Sequence, residues 1–172
     1  KSSLLSIHNP KEKEDLIFSN VNRRRLAYDE LLAHQLSIGI VRNDNQKRKG
    51  IKFLNNSNLV KKCIQNLPFS LTNSQMKAWK SIYEDLISPH QMIRLLQGDV
   101  GCGKTVVAVL GMVHAIDCNH QAVLMAPTSI LAQQHFENIS ILLLNMNINI
   151  ILLTGRDKGK SRQEKLELIK NG

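Results

Sequence analysis

The segment Gly98–Thr105 places the strongest constraint on the fold of this chain. It reads Gly-Asp-Val-Gly-Cys-Gly-Lys-Thr and satisfies the pattern G-x-x-x-x-G-K-[ST] at every defined position. An apolar run of strand length, 92–97, precedes it, and a helical pattern from 103 to about 118 follows it. A strand, a glycine-rich loop and a helix in this order predict a phosphate-binding loop. A chance glycine-rich turn is the alternative, and both flanking patterns argue against it.

The chemistry of this loop follows from its residue types. Its glycines let the backbone curl so that N–H groups point at phosphate oxygens, and the helix that begins there adds its positive dipole end. Lys104 is predicted to reach the β- and γ-phosphates, and the Thr105 hydroxyl is predicted to ligate Mg²⁺. Cys102 is interpreted as a small side chain that fits a tight loop, with a more reactive thiol as the alternative. The predicted nucleotide-binding residues of the loop are Gly98, Asp99, Val100, Gly101, Cys102, Gly103, Lys104 and Thr105.

Residues 67–172 alternate between helical and extended patterns. Thr72 and Gln75 form the capping-box pattern Thr-x-x-Gln at the start of the first helix, which ends at Ser88-Pro89. Strands that alternate with helices indicate βαβ units and a parallel sheet, so the predicted fold class is α/β. Three later helices are predicted at about 103–118, 128–145 and 161–170, and three strands at 92–97, 122–126 and 148–153.

Residues 1–66 are predicted to form a basic helical linker in front of this domain. Up to residue 62 the chain holds 13 Lys and Arg against 6 Asp and Glu, a net charge of +7, whereas the remainder has a net charge of +2. A helix is predicted from about 22 to 41, an exposed basic loop over 42–56 and a short helix over 58–66. Such charge asymmetry favours either a solvated linker or contacts with a polyanion such as nucleic acid.

Several classes of site are disfavoured by what the sequence lacks. Cys63, Cys102 and Cys118 show no C-x-x-C spacing, which argues against a zinc site and a disulfide framework. No apolar run approaches the roughly 20 residues that a membrane helix needs. We therefore expect a cytoplasmic protein without zinc or a membrane span. We also expect a monomer, although neither absence bears on the oligomeric state.

Several segments, in order along the chain, resemble superfamily 2 DNA helicases of the RecG type. The more specific of them are the Asp-Val pair after Gly98 and the stretch Leu31-Leu32-Ala33-His34-Gln35. The resemblance implies a partial RecA-like P-loop domain behind a helical linker, ATP and Mg²⁺ as cofactors, and forked or branched duplex DNA as partner. The matching segments are 25–36, Leu71-Thr72-x-x-Gln75, 89–105, 125–135 and Leu153-Thr154-Gly155.

The resemblance also implies roles for residues outside the loop. Gln75 is expected to recognise adenine, and the alternative is its capping role alone. Pro127 and Thr128 are expected to contact the DNA backbone, and a plain helix N-cap is the alternative for Thr128. Thr154 and Gly155 are expected to make another backbone contact, with a strand-end turn as the alternative.

The sequence departs from the family pattern at a few positions and lacks other parts of it. Cys102 stands where serine is usual, Ser129 and Gln133 where glutamate is usual, and Arg156 where a small residue is common. An apolar run ending in Asp-Glu, which would serve hydrolysis, is absent. We therefore expect a segment of a longer helicase that is marginally stable by itself. A non-catalytic nucleotide-binding fragment, the related transcription–repair coupling motor and a small kinase are the alternatives.

Overall fold

Helices dominate the residues 2–17, 19–54 and 58–172 that this computed structural model describes. The chain divides into two compact units, Lys1–Lys49 and Gly50–Gly172. The predicted domain boundary after residue 66 therefore lies inside the second unit. The physical reason is that the helix over Asn58–Asn66 buries Val60 and Cys63 in the core of that unit.

The first unit is a helical hairpin. Helix α1 spans Ser2–His8, a 3₁₀ helix follows at Lys13–Leu16, and the long helix α2 spans Val21–Lys47 and packs against α1. The predicted helix from about 22 to 41 is thus present and continues to Lys47. The prediction of a loop is wrong for 42–47, because no proline or glycine interrupts this polar sequence before Gly50. Residues 55 and 56 of that predicted loop lie outside the described residues, and the helix over Ser2–His8 was not predicted.

The second unit is organised around the helix that follows the glycine-rich loop. The described residues of this unit form five helices: α3 at Asn58–Asn66, α4 at Asn73–Leu86, α5 at Lys104–Asp117, α6 at Ser129–Leu142 and α7 at Gly159–Asn171. Leu110 and Val113 of α5 are completely buried, and α3 and α4 pack against this helix. Trp79 from α4 and Ile139 from α6 join the same core. Each helix predicted from the sequence in this part of the chain is present, with ends shifted by a few residues.

The predicted parallel strands are not formed in the described part of the chain. Segments 92–97, 122–126 and 148–153 lie between helices, as predicted, but their backbone groups form no ladder with one another. Leu96 and Ile150 pack against the core, whereas Leu95 is 80% exposed and Met125 is 89% exposed. A strand needs a neighbour to satisfy its N–H and C=O groups, and apolar side chains that face solvent on these segments indicate that such neighbours are missing.

A short extended segment at Gly50–Phe53 fastens the start of the second unit to its core. Gly50 N–H donates to Pro89 C=O (2.8 Å) and Phe53 N–H donates to Leu86 C=O (3.0 Å). The Phe53 carbonyl also lies 3.0 Å from Nε2 of His114, a fully buried side chain on α5. The backbone before α3 is therefore held by both α5 and the residues that end α4.

Replacing Gly50 by alanine should destabilise this unit by about 1–3 kcal/mol, because a Cβ there would lie 2.5 Å from the carbonyl oxygen of His90 and force the backbone apart. The matched control is Gly39→Ala on the exposed part of α2, where an added Cβ meets nothing within 4 Å. That change should stabilise its helix by about 0.5–1 kcal/mol. Denaturant unfolding of both variants measures the contrast, and equal effects would contradict the close approach at Gly50.

No helix in the described ranges combines the length and apolar character required to cross a membrane.

Candidate nucleotide-binding loop and nucleic-acid groove

The glycine-rich loop depends on two left-handed backbone positions. Gly101 has φ +82° and Gly103 has φ +81°, a region that residues with a side chain adopt only with strain. Between them, Cys102 N–H donates to Asp99 C=O at 3.2 Å and closes a turn. A Cβ at Gly103 would also overlap Nε2 of Gln75. The glycines of the motif are therefore required by the conformation, as the sequence pattern predicted.

Lys104 lies folded over the loop in this structure. Its Nζ donates to the carbonyl oxygens of Gly98 (2.8 Å) and Asp99 (2.7 Å) and lies 3.8 Å from Sγ of Cys102. Cys102 fits the tight loop, since a Cβ at Gly98 would lie only 2.6 Å from its Sγ. The loop thus concentrates a positive charge at its centre, where a phosphate would be attracted.

The N-terminus of α5 provides further donors for an anion. Its N-cap, Gly103, has no side chain that bonds the first turn, and Gly103 C=O accepts from Val106 N–H (3.1 Å). Within the described residues the N–H groups of Lys104 and Thr105 have no protein acceptor. Unpaired N–H groups at the positive end of a helix dipole favour phosphate. The Thr105 hydroxyl, also without a protein partner in that part of the chain, suits one Mg²⁺ ligand position.

Gln75 links helix α4 to the loop. The capping box predicted at Thr72 is confirmed, with Gln75 N–H donating to Thr72 Oγ1 (3.2 Å) and Thr72 N–H donating to Gln75 Oε1 (2.8 Å). The remaining amide end, Nε2, donates to the carbonyl of Cys102 at 2.9 Å. The amide therefore lies against the loop backbone, a contact that the sequence did not predict.

A groove lies between the two segments predicted to contact DNA, and Thr154 is the one predicted residue among those that line it. The groove has a volume of about 640 Å³ and lies between the first two turns of α6 and the turn at residues 154–157. Ser129, Ile130 and Gln133 line one side, and Thr154 and Arg156 line the other. Thr128 precedes the lining residue Ser129 and caps α6, with Oγ1 accepting from Leu131 N–H at 3.2 Å, while Pro127 and Thr128 are exposed. The structure confirms the N-cap role of Thr128, and Pro127, Thr128 and Gly155 are not among the residues that line the groove.

A carboxylate closes the turn at Thr154. Asp157 Oδ2 accepts from the Thr154 N–H (2.7 Å) and from the Thr154 hydroxyl (3.1 Å), and Asp157 N–H donates to Thr154 C=O (3.2 Å). Lys165 from α7 pairs with Asp157 Oδ1 at 2.5 Å and donates to Leu152 C=O at 2.8 Å. Sequence reasoning missed Asp157 and Lys165. The spacing Thr-x-x-Asp was the available signal, because a short acidic side chain readily bonds turn backbone.

The same bonds set the acidity of Asp157. The hydrogen bond from Lys165, followed by that from the Thr154 backbone, lowers the pKa of the carboxyl from 3.8 to about 2. Because the folded-state pKa is depressed, the ionised carboxylate stabilises the turn at every pH above about 3.8, and this contribution is lost as the pH falls through about 2. The closed turn is thus fully formed near neutral pH.

The stability advantage of the parent chain over Asp157→Asn should therefore stay constant from pH 7 to about pH 4 and then shrink toward pH 2. The difference in the free energy of unfolding between the two proteins, measured across this range, tests the statement. A difference that varies between pH 7 and 5, or one that does not shrink below pH 4, would contradict it.

Comparison with known proteins identifies the family. The model of the DEAD/DEAH box helicase family matches residues 72–171, which contain the loop, the capping box and both sides of the groove. The chain belongs to this family. The helicase resemblance predicted from the motifs is thereby confirmed.

Within the helicase family, this chain is similar to helicases named RecG. It is 39% identical over 171 residues to the ATP-dependent DNA helicase RecG of Bacillus subtilis, covering 99% of this chain and 25% of the relative. It is 43% identical over 150 residues to RecG of Haemophilus influenzae, covering 87% of this chain and 22% of the relative. The chain thus spans about a quarter of the length of these curated relatives, and the predicted RecG resemblance is confirmed.

One solved structure supports the overall fold. The structure of RecG bound to a three-way DNA junction matches 99% of this chain and 23% of its own chain, with a TM-score of 0.82 and 37% sequence identity. This similarity confirms a RecA-like helicase fold for the chain, although the parallel strands are not formed in the residues described here.

Proposed function

We propose that this chain carries the ATP-binding part of an ATP-dependent DNA helicase or translocase that remodels forked and branched DNA in repair and recombination. The observation that carries the proposal is the loop at Gly98–Thr105, with the Lys104 ammonium at its centre and the unbonded first turn of α5 beside it. The helicase activity and the DNA partner in this proposal are supported by relatives named as ATP-dependent DNA helicases and by a similar solved structure that is bound to a three-way DNA junction.

In this proposal the nucleotide is held by the backbone donors of the loop. The N–H groups of Gly101, Gly103 and Lys104 are suited to phosphate oxygens, and the Lys104 ammonium neutralises phosphate charge once it leaves the two loop carbonyls. The Thr105 hydroxyl supplies one ligand to Mg²⁺, whose remaining ligands are phosphate oxygens and waters, as is usual for this ion. In the described residues no three His, Cys, Asp or Glu side chains group together to hold a metal.

Gln75 has two proposed roles in the same site. Its Nε2 keeps the carbonyl of Cys102 in place, and its side chain lies close enough to the loop to recognise the base of the nucleotide. An amide offers a donor and an acceptor, which matches the edge of adenine. We propose that adenine replaces one of the two present amide contacts, which would make Gln75 responsive to nucleotide.

The proposed DNA site is the groove between α6 and the turn at Thr154. The exposed N-terminus of α6 at Thr128 and the turn at Gly155 present N–H groups of the kind that contact phosphates in DNA complexes. Contacts to the backbone fix position without reading sequence, as expected for an enzyme that recognises the branching of DNA. We place this activity in the cytoplasm and expect a monomer to perform it.

Strand displacement by the native polypeptide tests the proposal. A labelled forked duplex, incubated with ATP and Mg²⁺, should yield separated or re-annealed products, and the Lys104→Ala variant should yield none. DNA binding without turnover would instead identify a non-catalytic nucleotide-binding protein. Phosphate transfer to a small acceptor, with no effect of DNA, would identify a kinase and refute the proposal.

A further inference from the structure

The donors of Thr154 are already occupied. Both its N–H and its hydroxyl donate to Oδ2 of Asp157, at 2.7 and 3.1 Å, and Thr154 Oγ1 accepts from Arg156 N–H at 3.2 Å. A phosphate approaching Thr154 would have to compete with a carboxylate that is only 14% exposed and is held by Lys165. Thr154 therefore maintains the turn and has no donor left for DNA.

Arg156, two positions after Thr154, has the donors that Thr154 lacks. Arg156 is exposed and lines the groove, and in the described part of the chain no acceptor bonds its guanidinium. Its only bond in that part comes from its backbone N–H, which fixes the residue on the turn. The Gly155 N–H, at the exposed tip, is likewise unbonded among those residues. A fixed backbone with a free planar guanidinium suits a phosphate, which binds arginine through two parallel hydrogen bonds.

The charges around the turn favour the same ligand. Residues 154–165 contain five Lys and Arg and two Asp and Glu, a net charge of +3. One of the two acids, Asp157, is neutralised by its ion pair with Lys165. The turn and the start of α7 are therefore positive, whereas Glu137 lines the facing side of the groove. A positive segment of this kind attracts a polyanion and adds little specificity for sequence.

From these observations we propose that Arg156 is a DNA phosphate contact and that Asp157 is a positioning residue, which orients Arg156 by closing the turn through Thr154. The proposal rests on the proposed DNA-dependent function and deepens it. It moves the contact predicted for Thr154 two positions along the chain to Arg156, where the family pattern commonly has a small side chain.

The contact is tested by the salt dependence of binding. Anisotropy of a fluorescein-labelled forked duplex, titrated with the native polypeptide between 50 and 200 mM salt, gives the slope of log K against log [salt]. Arg156→Gln should weaken binding about tenfold and reduce the magnitude of the slope by about 0.9, the value for one lost phosphate contact. Lys170→Gln, which removes one charge from the exposed end of α7, should leave the slope unchanged.

The positioning role of Asp157 is tested by whether Asp157→Asn strengthens or weakens the binding of DNA. Asp157→Asn removes a negative charge, so the field alone would tighten DNA binding, whereas an opened turn would weaken it. We expect Asp157→Asn to bind the forked duplex at least about threefold more weakly than the parent protein, an effect within the range seen for coupled neighbouring residues. Glu164→Gln removes the same charge from an exposed position on α7 and should bind as well as the parent or better.

A double variant separates positioning from general damage. If Asp157 acts through Arg156, adding Asp157→Asn to Arg156→Gln should weaken binding no further. Full additivity of the two effects, or tighter binding by Asp157→Asn, would overturn the positioning role. An unchanged salt slope for Arg156→Gln, a surface variant whose folding is checked by its melting temperature, would overturn the contact. Failure of the parent protein itself to bind the forked duplex would instead refute the proposed function.

Discussion

Replacing Lys104 by alanine should weaken ATP binding by at least about a hundredfold. The ammonium lies at the centre of the loop, 2.8 Å from Gly98 C=O and 2.7 Å from Asp99 C=O, and is the one cation that the loop segment itself contains. A hydrogen bond to a charged group contributes about 1.5–3 kcal/mol. The loss of two hydrogen bonds from Lys104 to phosphate oxygens therefore lowers the affinity for ATP by a factor of about 10² or more. Titration of a fluorescent ATP analogue with the native polypeptide measures this change.

The control for this experiment is Lys80→Ala. Lys80 is an exposed lysine on α4 outside the loop, so its removal lowers the net charge equally and should leave the affinity for ATP unchanged. Both variants should unfold at the same denaturant concentration as the parent protein, which shows that neither substitution disturbs the fold. An affinity of Lys104→Ala within a few-fold of the parent value would show that the nucleotide binds elsewhere.

Replacing Leu110 by alanine should lower the free energy of unfolding by about 2–5 kcal/mol. Leu110 is completely buried near the middle of α5, in a core that receives side chains from α3, α4 and α6. The loss of buried apolar surface and the resulting cavity both destabilise the folded protein. The glycine-rich loop at the N-terminus of α5 depends on the position of this helix. Nucleotide affinity should therefore fall at temperatures where the parent protein remains folded.

The matched control is Leu144→Ala. Leu144 is 66% exposed just after α6, so the same deletion removes little buried surface and should change stability by less than about 0.5 kcal/mol. Urea unfolding of both variants gives the comparison. Equal effects would show that α5 is not at the centre of the core.

The helices could be predicted because their signals are local. The capping box at Thr72 and Gln75 and the apolar periodicity of α5 both lie within short stretches of sequence. The strands could not be confirmed in the same way, because a strand is formed only when another segment bonds to it. Leu95 and Met125 illustrate the difference, since each belongs to a run of strand character but faces solvent.

The site shows the same distinction between local and distant contacts. Gly103 follows from the motif, and its left-handed backbone is a local requirement, as is that of Gly101 at a position the motif leaves undefined. In contrast, Gln75 reaches Cys102 across 27 positions of sequence, and Lys165 reaches back from α7 to Asp157 in the turn before that helix. No spacing rule reveals such pairs in a single sequence. The fold was needed to show that Asp157 occupies the donors of Thr154.

Amide hydrogen exchange of the native polypeptide, with ATP and Mg²⁺ in one sample and a forked duplex in another, locates both proposed binding sites. We expect nucleotide to slow exchange in the loop and the first turn of α5, residues 98–107. We expect DNA to slow exchange at the start of α6 and at the tip of the turn, residues 128–131 and 155–158. Protection by nucleotide that leaves Gly98–Thr105 unchanged would show that this loop does not bind the nucleotide.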